Sequence, residues 1–141
     1  MTTAQLGQHD FAMLLDFRIA LRQFQRWSEE QAHGAGLTHV QHQLLVAIKG
    51  HRGSAPPSVG DLARYLLLRP HSTVELVDRA VAAGLVRRMA DAADGRIVRV
   101  GLTLAGDRVL KELTHSHLQR LRDLAAVLDK LVDHDNRNLA R

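Results

Sequence analysis

From residue 11 to about residue 31 the apolar positions Phe11, Leu14, Leu15, Phe17, Ile19, Leu21, Phe24 and Trp27 recur mostly at steps of three and four, the period that gathers side chains on one face of a helix. Gly34 and Gly36 supply the permissive backbone that ends it. The pattern restarts at Thr38, a hydroxyl cap followed three residues later by Gln41, which can reach back to the cap's own amide. A second helix is expected to about residue 49, and residues 50–57, with glycines, Ser54, Pro56 and Pro57, read as a loop. Ser58 is placed to cap a short third helix, 59–67, with Asp61 favourable in its first turn. Arg69-Pro70 interrupts it, because a residue before proline is pushed away from helical angles. His71, Ser72 and Thr73 begin a fourth helix to residue 83, with Val74, Val77 and Val81 as its expected buried stripe and Gly84 past its last turn.

Two strand-like stretches follow, 85–89 and 96–102, around the turn-rich segment 91–95. In the second, Val98, Val100 and Leu102 fall on one face and Ile97 and Arg99 on the other, the two-residue period of a hairpin strand with one covered face. Thr103 then caps a long last helix in which Leu110, Leu113, His117, Leu121, Leu124, Leu128 and Leu131 follow steps of three and four. That stripe is longer than a short domain can cover. The expected fold is mainly α with a small β-hairpin.

Composition narrows the classes. At 141 residues, 45% hydrophobic and 24% charged, the chain has enough apolar material for a core without disulfides or a structural metal. No apolar run approaches the roughly 18 residues a membrane span needs, and the N-terminus lacks a signal-peptide pattern, so a cytoplasmic location is the default. The absence of cysteine removes thiolate metal sites and thiol redox sensing. The net charge of +4 suits a polyanionic partner. It is spread evenly, however: five basic against four acidic side chains over residues 1–57, seven against five over 58–101, and seven against six over 102–141. The case for nucleic acid therefore depends on where particular arginines fall.

Two short helices joined by a tight turn and followed by a hairpin form the arrangement that sets the second helix's N-terminal residues into a major groove. Here those residues are Arg69, His71, Ser72 and Thr73, all able to donate hydrogen bonds to phosphates or base edges, at the dipole end that favours a phosphate. The hairpin tip carries Asp94 and Arg96, and an arginine held extended by a carboxylate suits a narrow minor groove. Arg79 and one of the adjacent strand residues Arg87 and Arg88, of which at most one, such as Arg88, shares the groove face, are further candidates for the DNA backbone, although Arg79 has Glu75 and Asp78 as local ion-pair partners.

Three stretches in this order resemble the MarR (multiple antibiotic resistance regulator) family of winged helix-turn-helix transcriptional regulators. They are Leu37 to Leu45, like the family's second-helix opening; His71 to Arg79 through Gly84-Leu85-Val86, like its recognition helix and exit; and Asp94-Gly95-Arg96 through Leu102-Thr103-Leu104-Ala105-Gly106, like its wing and the next helix. The resemblance implies a repressor that binds double-stranded DNA at a palindromic operator as a homodimer, and that is released by a small aromatic or amphipathic effector. It implies long N- and C-terminal dimerisation helices in segments 1–36 and 103–141 and a DNA-binding lobe at 37–102, one compact domain in total. Asp94 and Arg96 match the family's Asp-x-Arg wing motif, and Ser72 and Thr73 its helix-start DNA contacts. Glu75 departs from the basic or hydroxyl residue common there, and a carboxylate repels phosphate unless it accepts from a cytosine amine. The C-terminus stops short of the family's usual second dimerisation helix.

Other readings of these residues remain. The effector cleft that the resemblance implies would draw on Phe17, Leu21 and His42, although an aromatic stripe is equally a dimer core. His39 and His42, one helical turn apart, with His115 and His117 elsewhere, raise a metal-responsive regulator of the same fold. A spacing of two does not put His115 and His117 on one helix face, so no residue is assigned to a metal and no cofactor is expected. An enzyme is the remaining class, but no nucleophile motif, phosphate loop or paired acid and base is present, and no catalytic residue is assigned.

Overall fold

The structure is a computed structural model that describes residues 5–140; the first four residues and Arg141, which belong to the expected terminal segments, lie outside it. In order, the elements are α1 (Gln8–Gly34), α2 (His39–Gly50), α3 (Val59–Leu66), α4 (Pro70–Ala82), β1 (Val86–Ala90), β2 (Val98–Leu102) and α5 (Leu104–Leu139). The mainly helical fold with a single small hairpin, a winged helix-turn-helix with long first and last helices, is as expected. The chain divides into two units. One holds the residues up to Glu30 and from His115 onward, the other Gln31–Thr114.

In the second unit the ends of the helices are fixed by local chemistry. Thr38 Oγ1 accepts from the Gln41 amide at 3.1 Å while Gln41 Oε1 accepts from the Thr38 amide at 3.1 Å, and Ser58 and Asp61 form the same reciprocal box at the start of α3. Such a box satisfies two amides that a helix leaves without intrahelical partners. The Ser58 amide, with help from the Ser58 hydroxyl and Arg64, holds the Asp61 carboxyl below its usual range. Thr103 Oγ1 accepts from the Gly106 amide at 3.1 Å and donates to the Gly84 carbonyl at 2.6 Å, capping α5 and tying its start to the end of the preceding turn. Gly106 is required there, because a Cβ would lie 2.1 Å from the Leu85 carbonyl oxygen. Gly84 itself has φ +75°, a conformation that glycine adopts without strain.

The core of this unit draws Leu37, Leu44, Leu45 and Ile48 from the α2 region, Leu62 from α3, Leu76, Val77 and Ala80 from α4, Val86 and Val100 from the sheet and Leu110 and Leu113 from α5. The antiparallel register pairs Val86 with Leu102, Arg88 with Val100 and Ala90 with Val98. The outer edge of β2 is not bare: Val100 donates to the Pro57 carbonyl at 2.9 Å, and Ser58 bridges Arg99.

Three expectations change. The buried stripe of α4 is Thr73, Leu76, Val77 and Ala80, while Val74 and Val81 are exposed; positions 73, 76/77 and 80 recur at the helical period, whereas 74 and 81 sit on its flank. The same helix starts one residue earlier than expected, with Pro70 as its first residue and Arg69 as an extended N-cap. A proline there loses no intrahelical bond. No side chain caps α4. The strands are also displaced, β1 to 86–90 and β2 to 98–102, leaving Arg96 and Ile97 in the turn.

In the first unit, α1 and α5 meet through a small aromatic cluster. His117 lies 4.7 Å from the Trp27 ring and edge-on to Phe24, its Nε2 is 2.8 Å from Ser28 Oγ, and the Arg120 guanidinium stands 5.1 Å over Trp27. A groove of about 190 Å³ beside it is lined by Ala20, Gln23, Phe24, Arg120, Asp123, Leu124 and Val127. Of the stripe read on α1, Phe11, Leu14, Leu15 and Ile19 are exposed; of the stripe read on α5, Leu121 is exposed while Leu124, Leu128 and Leu131 are half-buried, and Leu118, Val127 and Val132 beside it are exposed.

Candidate nucleic-acid interface

The tight turn between α3 and α4 is made by Leu67, whose φ of 54° and ψ of 40° end α3 in a left-handed cap that donates back to the Arg64 carbonyl. The chain then extends through Arg69 and enters α4 at Pro70. The first turn of α4 carries no acidic residue, so the positive end of the helix dipole is not offset by a side chain. His71 is exposed there and its Nε2 lies 3.2 Å from Glu75 Oε1, so the carboxylate that departs from the expected pattern is engaged within its own helix. Ser72, half-buried, lines a cleft of about 380 Å³ with Thr38, Gln41, Leu68, Glu75 and Arg79, where the openings of α2 and α4 converge.

Thr73 must be withdrawn from the contact set. Its side chain is fully buried and its hydroxyl donates to the Arg69 carbonyl at 3.0 Å, so it has no face to offer a groove. It belongs to the core side of α4, where the bond to Arg69 joins the N-cap to the first turn. Arg69, His71 and Arg79 are exposed on the other side. Arg88 is placed differently from the others. Its guanidinium donates to Asp78 and, at 3.4 Å, to the Val74 carbonyl, so it fastens β1 to α4. Asp78 is thereby engaged by Arg88, and the pair expected between Asp78 and Arg79 is not what the side chains make.

At the hairpin tip, Arg96 projects with its side chain 91% exposed. Its Nε donates to Asp94 Oδ1 at 3.1 Å and its Nη2 to Asp94 Oδ2 at 3.2 Å, while its amide also donates to Oδ1. The two-pronged contact fixes the plane and direction of the guanidinium, and the same contact holds the Asp94 carboxyl below its usual range. The arginine expected to be held extended by its neighbour is therefore present as such.

Behind the tip lies a second pair that the reading of the sequence passed over. Arg99 Nε donates to Asp91 Oδ1 at 2.6 Å, and its Nη1 donates to the Pro56 carbonyl at 2.8 Å. The other oxygen of Asp91 accepts from the Ala93 and Asp94 amides at 3.1 and 2.9 Å. These side chains are 22% and 14% exposed, in contrast to Arg96. The Arg99 bond, followed by the Asp94 amide, lowers the Asp91 carboxyl. The available signal was an aspartate opening a turn with backbone amides two and three residues on, the pattern of an Asx-turn; its pairing with Arg99 across the hairpin needed the register.

Phe17 and Leu21 are half-buried in the first unit, whose groove they do not line, and His42 is 5% exposed in the core of the second. His39 Nε2 is 2.9 Å from Gln43 Nε2, and His117 is packed among Trp27, Phe24 and Ser28. Among the described residues no group of three or more His, Cys, Asp or Glu side chains is placed to hold a metal ion, and no described helix is long and apolar enough to cross a membrane.

With this geometry in view, comparison with known proteins gives a consistent result. Residues 35–97 match the model of the MarR family. An uncharacterised HTH-type transcriptional regulator of Bacillus subtilis, YsmB, is 34% identical over 67 residues, covering 48% of this chain and 46% of the relative; the chain thus spans about half the length of that curated relative. Among solved structures, AbsC, a MarR family transcriptional regulator from Streptomyces coelicolor, superposes with a TM-score of 0.74 at 21% identity, over 96% of this chain and 93% of its own. MepR of S. aureus in complex with DNA gives 0.71 at 18%, over 96% of both chains. At such identities these two establish the fold. The resemblance to the MarR family carried by the three stretches of sequence is borne out.

Proposed function

From the premise of a MarR-family winged helix-turn-helix, we propose that the chain is a DNA-binding transcriptional regulator, a repressor that reads a palindromic operator as a homodimer and is released by a small molecule. The observation that carries the reading is Arg96, fully presented at the tip of the hairpin and oriented by Asp94, on the same lobe as an α4 N-terminus that exposes Arg69 and His71. The wing arginine enters a minor groove while the start of α4 enters the adjacent major groove. Arg69, His71 and Ser72 are the α4 contacts, and Arg79 reaches the phosphates. Arg88 contributes by holding β1 to α4, and Glu75 takes no direct part while it engages His71. The DNA complex of MepR, of the same fold, supports this choice of partner.

The exposed apolar residues of α1 and α5 support the dimer, with residues 1–36 and 103–141 as the dimerisation segments and 37–102 as the DNA-binding lobe. A second copy brings an identical apolar surface, and a two-fold pair of reading lobes requires a two-fold operator. An effector acts by binding better to a dimer whose reading helices are out of register with the groove, so that its differential affinity sets the loss of DNA binding. Phe17, Leu21 and His42 are the residues to test for that role. The absence of a three-residue ligand group among the described side chains leaves a metal-responsive regulator without support, and the family match favours a binding protein over an enzyme.

The test is selection of duplexes from a random-sequence pool by the purified protein, followed by affinity measurements on the enriched sequence over a range of salt. Enrichment of an inverted repeat and a linear fall of log affinity with log salt are expected, with a slope of about −0.9 for each phosphate contacted. Recovery of no sequence above background overturns the reading.

A further inference from the structure

We propose that Arg99 and Asp91 are positioning residues for the wing arginine, joining the hairpin tip to the loop before α3 so that Arg96 is delivered to DNA in one fixed direction. This rests on the reading of the lobe as a DNA-binding one. The connection is continuous: the Pro56 carbonyl accepts from Arg99 Nη1, Arg99 Nε donates to Asp91, the second Asp91 oxygen accepts from the Ala93 and Asp94 amides, and Asp94 holds Arg96 by both its Nε and Nη2.

Each bond in this path constrains a different freedom. The strand pairing ends at Ala90 and Val98, and backbone bonds from the Asp91 amide to the Ile97 carbonyl and from the Ile97 amide to the Asp94 carbonyl, both at 3.0 Å, close the base of the tip without fixing the amides of residues 93 and 94. The Asp91 carboxylate supplies what the ladder lacks by fixing two successive amides. Arg99 aims that carboxylate by offering two nitrogens in fixed geometry, one to Asp91 and one to Pro56, which a lysine ammonium on a flexible stem does not reproduce. The loop end of the path is firm as well, because Pro57 is fully buried and its carbonyl accepts from Val100. Arg99 has little surface left for a phosphate. Its part is to set where a neighbour points, and Arg96, exposed and anchored only through Asp94, is the neighbour in need of it.

The experiment is a double-mutant cycle on the duplex selected by the wild-type protein, using Arg99→Gln, Arg96→Ala and the pair, with Arg99→Lys and Asp91→Asn as milder second variants. Arg99→Gln is expected to weaken binding about tenfold when Arg96 is present and by less than about twofold when Arg96 is already alanine, since neighbours that act through one contact are not additive. Arg99→Lys is expected to recover little. Equal losses in both backgrounds, or full recovery with lysine, overturn the proposal. The wing is also read without DNA, by backbone relaxation of the free protein. In Arg99→Gln and in Asp91→Asn the order parameters of Ala93, Asp94 and Arg96 are expected to fall from about 0.85 toward 0.6 while those of α2 to α4 stay unchanged. An unchanged tip contradicts the positioning role even where no duplex is selected, in which case the DNA-binding reading fails separately.

Discussion

Residues 31–114 and the helical unit formed by the rest of the described chain treat their apolar side chains in opposite ways. In the lobe Leu44, Leu45, Leu62, Val77 and Val100 are fully buried, and helix starts are closed by Thr38, Ser58 and Thr103. In the helical unit Phe11, Leu14, Leu15, Leu121 and Val132 are each more than half exposed. In both regions, in α4 of the lobe and in α1 and α5, an apolar stripe was read from the same three- and four-residue spacing. The spacing states only that a helix has an apolar face; whether that face is covered within the chain depends on how many elements are available to cover it, and α1 and α5 have few. A lobe that completes its own core can hold reading residues in fixed places, whereas an open apolar stripe is material for association.

The largest expected effects separate the two regions. Leu44→Ala removes a fully buried side chain and is expected to cost about 2–5 kcal/mol in chemical denaturation. Leu121→Glu, in the exposed stripe, is expected to leave the unfolding of the lobe in place and to move the protein from dimer to monomer in sedimentation at micromolar concentration. If Leu121→Glu unfolds the lobe, or leaves the dimer intact, the contrast between the regions does not hold. Gly106→Ala comes next. Its methyl would lie on the Leu85 carbonyl, and a backbone shift costing about 1–3 kcal/mol is expected, visible as a lower melting temperature. Ser58→Ala removes one half of the capping box at α3 and is expected to cost about 1 kcal/mol.

The smallest effect is in acid. Asp61, Asp91, Asp94 and Asp107 are all lowered, by the Ser58 amide, Arg99, Arg96 and Lys111 respectively as the first cause. A carboxyl depressed in the folded state contributes stability that is complete above the ordinary carboxylate range and is lost as pH falls through the depressed value. The contribution of these carboxyls to stability is therefore expected to be constant near neutral pH and to decline below about pH 4. Asp61→Asn is expected to flatten the decline in a denaturant titration, and an unaltered decline counts against the capping contribution.

Much of the lobe was legible in the sequence because its signals are local. Thr38 with Gln41, Ser58 with Asp61, and Asp94 with Arg96 each act over two or three residues, and the structure finds each pair in contact. Thr73 was misplaced for a physical reason: a hydroxyl near a helix start reads as a polar contact, but it can instead donate back to the carbonyl four residues earlier and turn its methyl inward, as Thr73 does to Arg69. Val74 and Val81 were misplaced because a run containing Thr73, Val74, Leu76 and Val77 has apolar groups on adjacent flanks, and the choice between them depends on what α4 meets. Arg88 could not be separated from Arg96 by sequence alone, nor could the partner of Arg99 be read from it. All three sit in or beside a hairpin, but the register turns Arg88 to Asp78 and Arg99 to Asp91 and leaves Arg96 outward.

The most direct measurement sets one arginine of each region against the other on the duplex selected by the wild-type protein. Arg96→Ala at the wing and Arg26→Ala on α1, where an exposed Arg26 meets Glu30 at 3.6 Å, remove the same charge. Fluorescence anisotropy titrations are expected to show Arg96→Ala weakening binding by about 1–3 kcal/mol and Arg26→Ala leaving it close to wild type. Equal affinities for the two variants would contradict DNA reading by the wing.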